Sequence, residues 1–234
     1  MADHIRETLQ DLEKLASEHE CVAVGFSGGK DSLAVLDMAV RTFHTVVPYY
    51  YYFVPGLKSE EQKVAIAREH YKLNVLKFPA PAGIEAFKAG LFCDEFPEFE
   101  ALPDLSRRTL YNWIKAASGA SIILTGEKKS DGPFRRRRMA AQANTMADVI
   151  FPLKDWLKWE VLSYIKSQRL PIPDAGRGDS GSVCLMDAEI LHLHKYHPED
   201  YETLRAYFPY IETVVLRERW FGEGGAQATK EAHA

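Results

Sequence analysis

The sequence predicts an α/β protein: a mainly parallel sheet of about five strands, helices on both faces and a helical extension at the C-terminal end. Three observations carry that expectation. Apolar runs of strand length alternate with segments whose apolar residues recur at helical spacing, the pattern of strand-helix-strand crossovers. One of these runs, Cys21 to Phe26, leaves through Gly28 and Gly29 directly into a helical segment. A chain of 234 residues with 46% hydrophobic content also favours one sizeable core plus a small C-terminal addition over two full domains.

Each element has its own warrant. Ile5, Leu9, Leu12 and Leu15 share one helical face, so residues 3–19 read as an amphipathic helix ahead of the core. CVAVGF supplies the first strand, and SLAVLDMAVRTF, rich in good helix formers, the first crossover helix. TVVPYYYYFV follows as a second buried strand. SEEQKVAIAREHY opens on Ser59 as its N-cap with acids in the first turn, and NVLKFPA makes a third strand. After a less regular stretch holding DEFPEFEALPD, a helix from Ser106 to Ser118 leads into SIILTG, a strand ending in Gly126. DVIFPLKDW and the helical KWEVLSYIKSQRL come next. From Pro171 the composition shifts to Pro, Gly and Asp, HPEDYETLRAYFPYIETVVLRERW forms a terminal helical region, and GEGGAQATKEAHA has the composition of a disordered tail.

Bulk properties exclude several classes. A formal net charge of -4 gives no global basic field, so contact with nucleic acid is not indicated and would need a local patch. Cys21, Cys93 and Cys184 lie far apart without a C-x-x-C pair, which argues against a disulfide framework or zinc finger and for a reducing, cytoplasmic compartment. No apolar run approaches the roughly 20 residues of a membrane span, and the charged N-terminus has no apolar signal core, so no membrane association is expected.

The stretch Ser27-Gly28-Gly29-Lys30-Asp31-Ser32 carries most of the chemistry. Glycines let backbone N–H groups close on an anion, the following helix offers its positive end, Ser27 and Ser32 add hydroxyls, and Lys30 adds a point charge suited to phosphate. A Walker loop would need glycine at Val24 and Ser or Thr at Asp31, and a dinucleotide fingerprint would need G-x-G-x-x-G; neither pattern is met. SGGKDS between strand and helix closely resembles the PP-loop of the N-type ATP pyrophosphatases. LTGEKKSDGPFRRRRM (124–139) resembles the strand-end motif T-G-x-R-x-x-[DE]-S-x-x-R of the phosphoadenosine-phosphosulfate (PAPS) reductase group, which includes the sulfate adenylyltransferase small subunits. IFPLKDWLKWEVLSYI and LPIPDAGRGDSGSVC resemble later segments of that group, so the likeness runs over about residues 20 to 185. Two departures stand out: Lys128 occupies the motif's usual arginine position, and Ser130 comes early, before Asp131.

The resemblance implies an adenine nucleotide alpha hydrolase-like (Rossmann-like) fold and a loop that holds the pyrophosphate part of ATP while the α-phosphorus is attacked, giving an adenylated substrate and pyrophosphate. Its cofactors would be ATP and Mg²⁺. Ser27, Gly28, Gly29, Lys30, Asp31, Ser32, Gly126 and Glu127 would bind the nucleotide, and Lys30, Asp31, Arg135 and Arg138 would act in catalysis. Asp31 is the candidate Mg²⁺ ligand, with helix capping as its alternative. The run Arg135 to Arg138 would meet phosphate or an anionic acceptor; a solvated loop face or a nucleic-acid backbone contact are the alternatives. Tyr49 to Phe53 read as core more readily than as an adenine platform, Cys21 and Cys93 as buried apolar residues, and His192, His194 and His197 as ordinary surface or packing residues.

PAPS reductases use a cysteine in a C-terminal E-C-G-L-H motif, and no cysteine follows Cys184 here. That absence and the intact Lys30-Asp31 pair favour ATP cleavage over reduction, with Cys184 the one candidate for a reductase-like alternative. A further alternative is a nucleotide-binding subunit without turnover of its own, since the large sulfate-adenylating enzymes work with a GTPase partner; a partner subunit or a homo-oligomer is compatible with either. On this reading residues 1–185 form the nucleotide-binding domain with 1–19 as its N-terminal helix, 186–221 a C-terminal helical extension, and 222–234 a tail.

Overall fold

The computed structural model describes residues 2–171 and 183–221; most of the LPIPDAGRGDSGSVC segment and the expected tail lie outside them. Chain order is α1 (Ala2–Glu18), β1 (Cys21–Gly25), α2 (Lys30–Thr42), β2 (Thr45–Tyr52), α3 (Lys58–Tyr71), β3 (Leu76–Pro79), α4 (Pro81–Lys88), α5 (Pro97–Glu100) and α6 (Arg107–Ser118). It continues through β4 (Ile122–Leu124), α7 (Pro133–Thr145), β5 (Val149–Ile150), α8 (Lys158–Gln168), α9 (Asp187–Tyr196), α10 (Pro198–Tyr207) and α11 (Glu212–Phe221). Short 3-10 turns cover Lys129–Asp131 and Pro209–Ile211. Among the described residues no helix is long and apolar enough to cross a membrane.

The five strands lie in the order β3-β2-β1-β4-β5, and β1 runs parallel to both β2 and β4, as β4 does to β5. The expected α/β sheet is therefore present. Its order places the topological switch point between β1 and β4, because the chain leaves β1 toward one edge and returns through β4 on the other side. A crevice opens at the carboxyl ends of the strands at such a point, where open sheets of this kind hold ligands. Register sets Val24 beside Leu124 and Gly25 beside Tyr49. Side chains alternate along β1. Ala23 joins Ile123, Val149, Tyr111 and Ile114 in the core beneath α6, whereas α2 packs on β1 and on α8 and α1.

Several local details differ from the sequence expectation. Ser59 does not cap α3: it lies inside the helix, and the carboxylate of buried Asp200 accepts from the N–H groups of Lys58 at 2.6 Å and Ser59 at 2.8 Å. The arginine run is helical rather than a loop face, because Pro133 at the first position of α7 fixes a helical φ where its missing N–H costs nothing. Pro81 does the same for α4 within the stretch read as irregular. Ser106, the residue at which this helix was expected to begin, caps α6, accepting from Thr109 N–H at 3.1 Å, and Gly119 closes the helix at φ 72°.

The chain divides into two compact units. One comprises residues 2–51, 62–78 and 105–171 and contains most of the sheet. The other comprises 52–61, 79–104 and 183–221. Its own core includes Phe53, Leu57, Ile190, Leu204, Phe208 and Ile211, with Phe87 stacked on Phe208 at 4.4 Å between ring centroids.

Candidate functional site

All the predicted site residues fall in the unit that holds most of the sheet, around the carboxyl ends of β1 and β4. Phe26 is buried and extends the β1 pairing, its N–H donating to Tyr49 O at 2.8 Å. The chain then turns through Gly28 at φ +73°, in the left-handed region that only glycine enters without strain. A Cβ there would also lie 2.6 Å from Lys63 Cβ and 2.9 Å from Lys63 O, so α3 closes the loop from one side. Helix α2 starts at Lys30, and its first turn leaves the amides of Lys30, Asp31 and Ser32 without intrahelical acceptors, the usual basis of an anion site.

The hydroxyls act partly within the loop. Ser32 Oγ donates to Gly29 O at 2.9 Å, accepts from Ser27 N–H at 3.2 Å and lies 3.3 Å from Ser27 Oγ. Ser32 is buried, so it braces the curve, while Ser27 is half-buried and nearer the opening.

Gly126, just beyond β4, meets this turn at very short range. A Cβ on it would sit 2.8 Å from the carbonyl carbon of Asp31 and 2.9 Å from Ser32 N, closer than real Cβ contacts come. The second motif thus needs its glycine so that two backbones can touch at the switch point. Asp31 does not cap the helix; both its oxygens meet ammonium groups, Oδ2 facing Lys30 Nζ and Oδ1 facing Lys128 Nζ, each at 2.6 Å. Lys128 is 1% exposed and also lies 3.0 Å from Asp131 Oδ1. Its contact with Asp31 is a close charge pair rather than an aligned hydrogen bond. Asp131 takes the Lys128 N–H at 3.1 Å and pairs with Arg135 at 2.8 Å. Burial alone would raise the Asp131 carboxyl, but Lys128, through side chain and backbone, and Arg135 outweigh it and hold that pKa below the usual value.

The other predicted residues lie beside this chain of charges. Glu127 pairs with Arg138 and lies 3.9 Å from Arg107. Burial first, and the like charge of Arg107 second, pull Arg138 below the ordinary guanidinium value. Arg136 and Arg137 are exposed. Sequence reasoning treated Lys128 only as a departure from a motif and passed over Arg107 and Asp131. Lys128's place in the motif was a usable signal; nothing local marked Arg107. The aromatic run goes to packing, Tyr49 in the sheet core and Phe53 in the second unit's core. Cys21 and Cys93 have thiols pushed up chiefly by burial, with the neighbouring acids Glu20 and Asp94 adding to it, which favours the thiol over the thiolate.

Among the described residues no group of three or more His, Cys, Asp or Glu is placed to hold a metal ion. Magnesium bound with a nucleotide needs only one or two carboxylates, the rest of its shell being phosphate and water. The donor set fits that demand through Asp31 alone, and only at the oxygen that Lys30 now holds.

A model of the phosphoadenosine phosphosulfate reductase domain matches residues 21–174. Sulfate adenylyltransferase subunit 2 of Mycobacterium sp. (strain JLS) is 21% identical over 225 residues, covering 84% of this chain and 71% of that protein. Among solved structures, the NH3-dependent NAD synthetase from Campylobacter jejuni gives a TM-score of 0.52 at 16% identity, covering 96% of this chain and 94% of that one, a likeness of fold. The U34-tRNA thiolase from Methanococcus maripaludis gives 0.49 at 18% identity, over 89% of this chain and 79% of that one. The family model takes in both the glycine loop and the Gly126 motif and spans well over half of the sequence, and the chain belongs to the phosphoadenosine phosphosulfate reductase domain family.

Proposed function

We propose that this protein binds ATP through residues 27–32 and transfers its adenylyl group to an acceptor, with release of pyrophosphate. The observation that carries the reading is the cradle at the switch point. It combines a helix's first-turn amides, Lys30 beside them, and Gly126 pressed so close that no side chain separates the two motifs. Adenylyl transfer is chiefly a matter of positioning and of neutralising charge, so donors and cations fixed in advance are the parts it needs. The first-turn amides, Ser27 and Lys30 would take the β- and γ-phosphates. An acceptor oxygen would then bond to the α-phosphorus as the bond from that phosphorus to the bridging oxygen breaks, and pyrophosphate leaves with the electron pair.

Magnesium, when bound, would neutralise phosphate charge, with Asp31 Oδ2 the oxygen this chain offers it. Arg138 and Arg135, each already paired to a carboxylate, would face the acceptor and favour an anionic one. The name of the mycobacterial relative supports adenylyl transfer, and its being called a subunit supports a partner chain. That name also favours a second reading, a nucleotide-binding subunit that turns over only with its partner. All three cysteines are free thiols, in keeping with the reducing, cytoplasmic setting we propose.

Calorimetry against ATP·Mg and PAPS, with AMP and pyrophosphate measured in the recovered samples, tests the proposal. ATP should bind in preference to PAPS, and Lys30→Ala should weaken it about ten- to a hundredfold, the worth of one charge-assisted contact. Pyrophosphate appearing with the isolated chain selects the enzyme; binding without turnover selects the subunit reading. A preference for PAPS, or ATP binding indifferent to Lys30, would reject both.

A further inference from the structure

The ions at the switch point form one alternating chain: Lys30, Asp31, Lys128, Asp131, Arg135, linked at 2.6, 2.6, 3.0 and 2.8 Å. Its members are not equally free to move. Lys30 has a side chain 28% exposed and Arg135 one 47% exposed, whereas Lys128 is 1% exposed. Lys128 is also fixed along its backbone, since its N–H donates to Asp131 Oδ2 and the next residue's N–H donates to Lys154 O at 2.9 Å. Burying an ammonium is costly unless carboxylates pair it, and here two do. Lys128 is too enclosed to reach a ligand.

Resting on the ATP reading, we propose that Lys128 is the resident counter-cation of Asp31 and that it lets Lys30 leave Asp31 for the nucleotide's phosphates. The argument is one of charge conservation at short range. When an anion enters the cradle, the partly exposed Lys30 is the cation able to turn toward it. If Asp31 had no other partner, that turn would leave a bare carboxylate beside the arriving phosphate, and the exchange would be opposed by both desolvation and like-charge repulsion. Because Lys128 keeps Oδ1, Asp31 remains neutralised while Oδ2 is vacated. Lys128 is thus a positioning residue acting through Asp31. The lysine that departs from the motif's arginine is no loss of function here, since either cation can bridge the two carboxylates.

Titration calorimetry with inorganic pyrophosphate in EDTA tests this on the full chain, with thermal melting as the control for folding. Lys128→Met leaves two intact pairs, Lys30 with Asp31 and Arg135 with Asp131, and should fold. It should bind pyrophosphate about tenfold more weakly, mid-range for members of one ion-pair network. Lys128→Arg should bind as wild type, and the double variant D31N/K128M should recover the affinity, because no carboxylate then holds Lys30. Lys129→Met removes a charge one residue away, paired to Asp155 on the surface, and should change affinity less than twofold, about the value of an exposed pair. Equal losses in K128M and K129M, or no recovery in the double variant, would overturn the proposal. A wild type that does not bind pyrophosphate would overturn the nucleotide reading instead. In that event acylation of Lys30 by an amine-reactive ester, read by mass spectrometry on free protein, decides the exchange: K128M should slow it, and an unchanged rate rejects it.

Discussion

Gly126 shows how little tolerance the site has at the scale of a residue. Its φ is not in the left-handed region, so alanine there meets no backbone strain, only the peptide of Asp31 and Ser32 at 2.8 to 2.9 Å. Something must move, and the neighbour is backbone at the start of a helix rather than a flexible tip. Gly126→Ala should therefore cost about 1–3 kcal/mol of stability, the usual penalty of overpacking, and weaken ATP more than tenfold by displacing the first-turn amides. Urea unfolding and calorimetry on one sample measure both. Asp131 gives a pH prediction. Its folded pKa is depressed, so its contribution is present above the unfolded value of about 4 and is lost as pH falls through the lower folded value. Melting temperature against pH should decline below about pH 4, and Asp131→Asn should lower the neutral plateau while flattening that acid limb. A parallel downward shift at every pH would mean that the carboxylate's charge is not what Lys128 and Arg135 use.

At the scale of elements, α2 is held by more than its apolar face. Asp37, 3% exposed, accepts from Tyr164 Oη of α8 at 2.6 Å, Tyr71 Oη of α3 at 3.1 Å and Arg41 Nε at 2.7 Å. Burial and the bond to Asp37 push the Tyr164 hydroxyl far above its usual range, so it remains a donor at any working pH. Tyr164→Phe should lose about 1.5–3 kcal/mol, the worth of a bond to a charged group. Asp37→Ala should lose more, about 3–5 kcal/mol, because the Tyr164 and Tyr71 hydroxyls both lose a charged acceptor. Equal losses for the two would show that packing, not the carboxylate, fixes α2. This network also marks where sequence reading reached its limit. The strands and the glycine turn are legible because apolar runs and glycines act through near neighbours. The cap of α3 was not, since Asp200 stands 141 residues from Ser59. Lys128 was visible as an exception to a motif, yet its partner Asp31 lies on a different strand-to-helix turn, and only the sheet order brings the two together. Helix α7 was hidden by its arginines, which carry no apolar period for a pattern to show.

On the scale of the whole molecule, neither compact unit is a continuous piece of chain. Residues 52–61 and 79–104 belong with 183–221, although the sheet strands lie between and around them in sequence. Phe53, Val54, Leu57, Ala86 and Cys93 are buried there against Ile190, Leu193, Leu204, Phe208, Ile211 and Val214. Asp200 also supplies the acceptors for the start of α3. A chain ending at residue 185 would strip those apolar side chains of their cover and leave the Lys58 and Ser59 amides without that carboxylate. It should bind a hydrophobic dye, exchange the amides of α3 and α4 rapidly and tend to aggregate, even though the glycine loop and the Gly126 motif are both retained. Leu204→Ala, at a fully buried position, should destabilise the intact protein by about 2–5 kcal/mol. The informative comparison is between these two changes and ATP binding. If the truncated chain binds no dye and keeps full affinity, the first unit carries the phosphate cradle by itself. If Leu204→Ala weakens ATP in proportion to its loss of stability, the two units unfold in one cooperative transition.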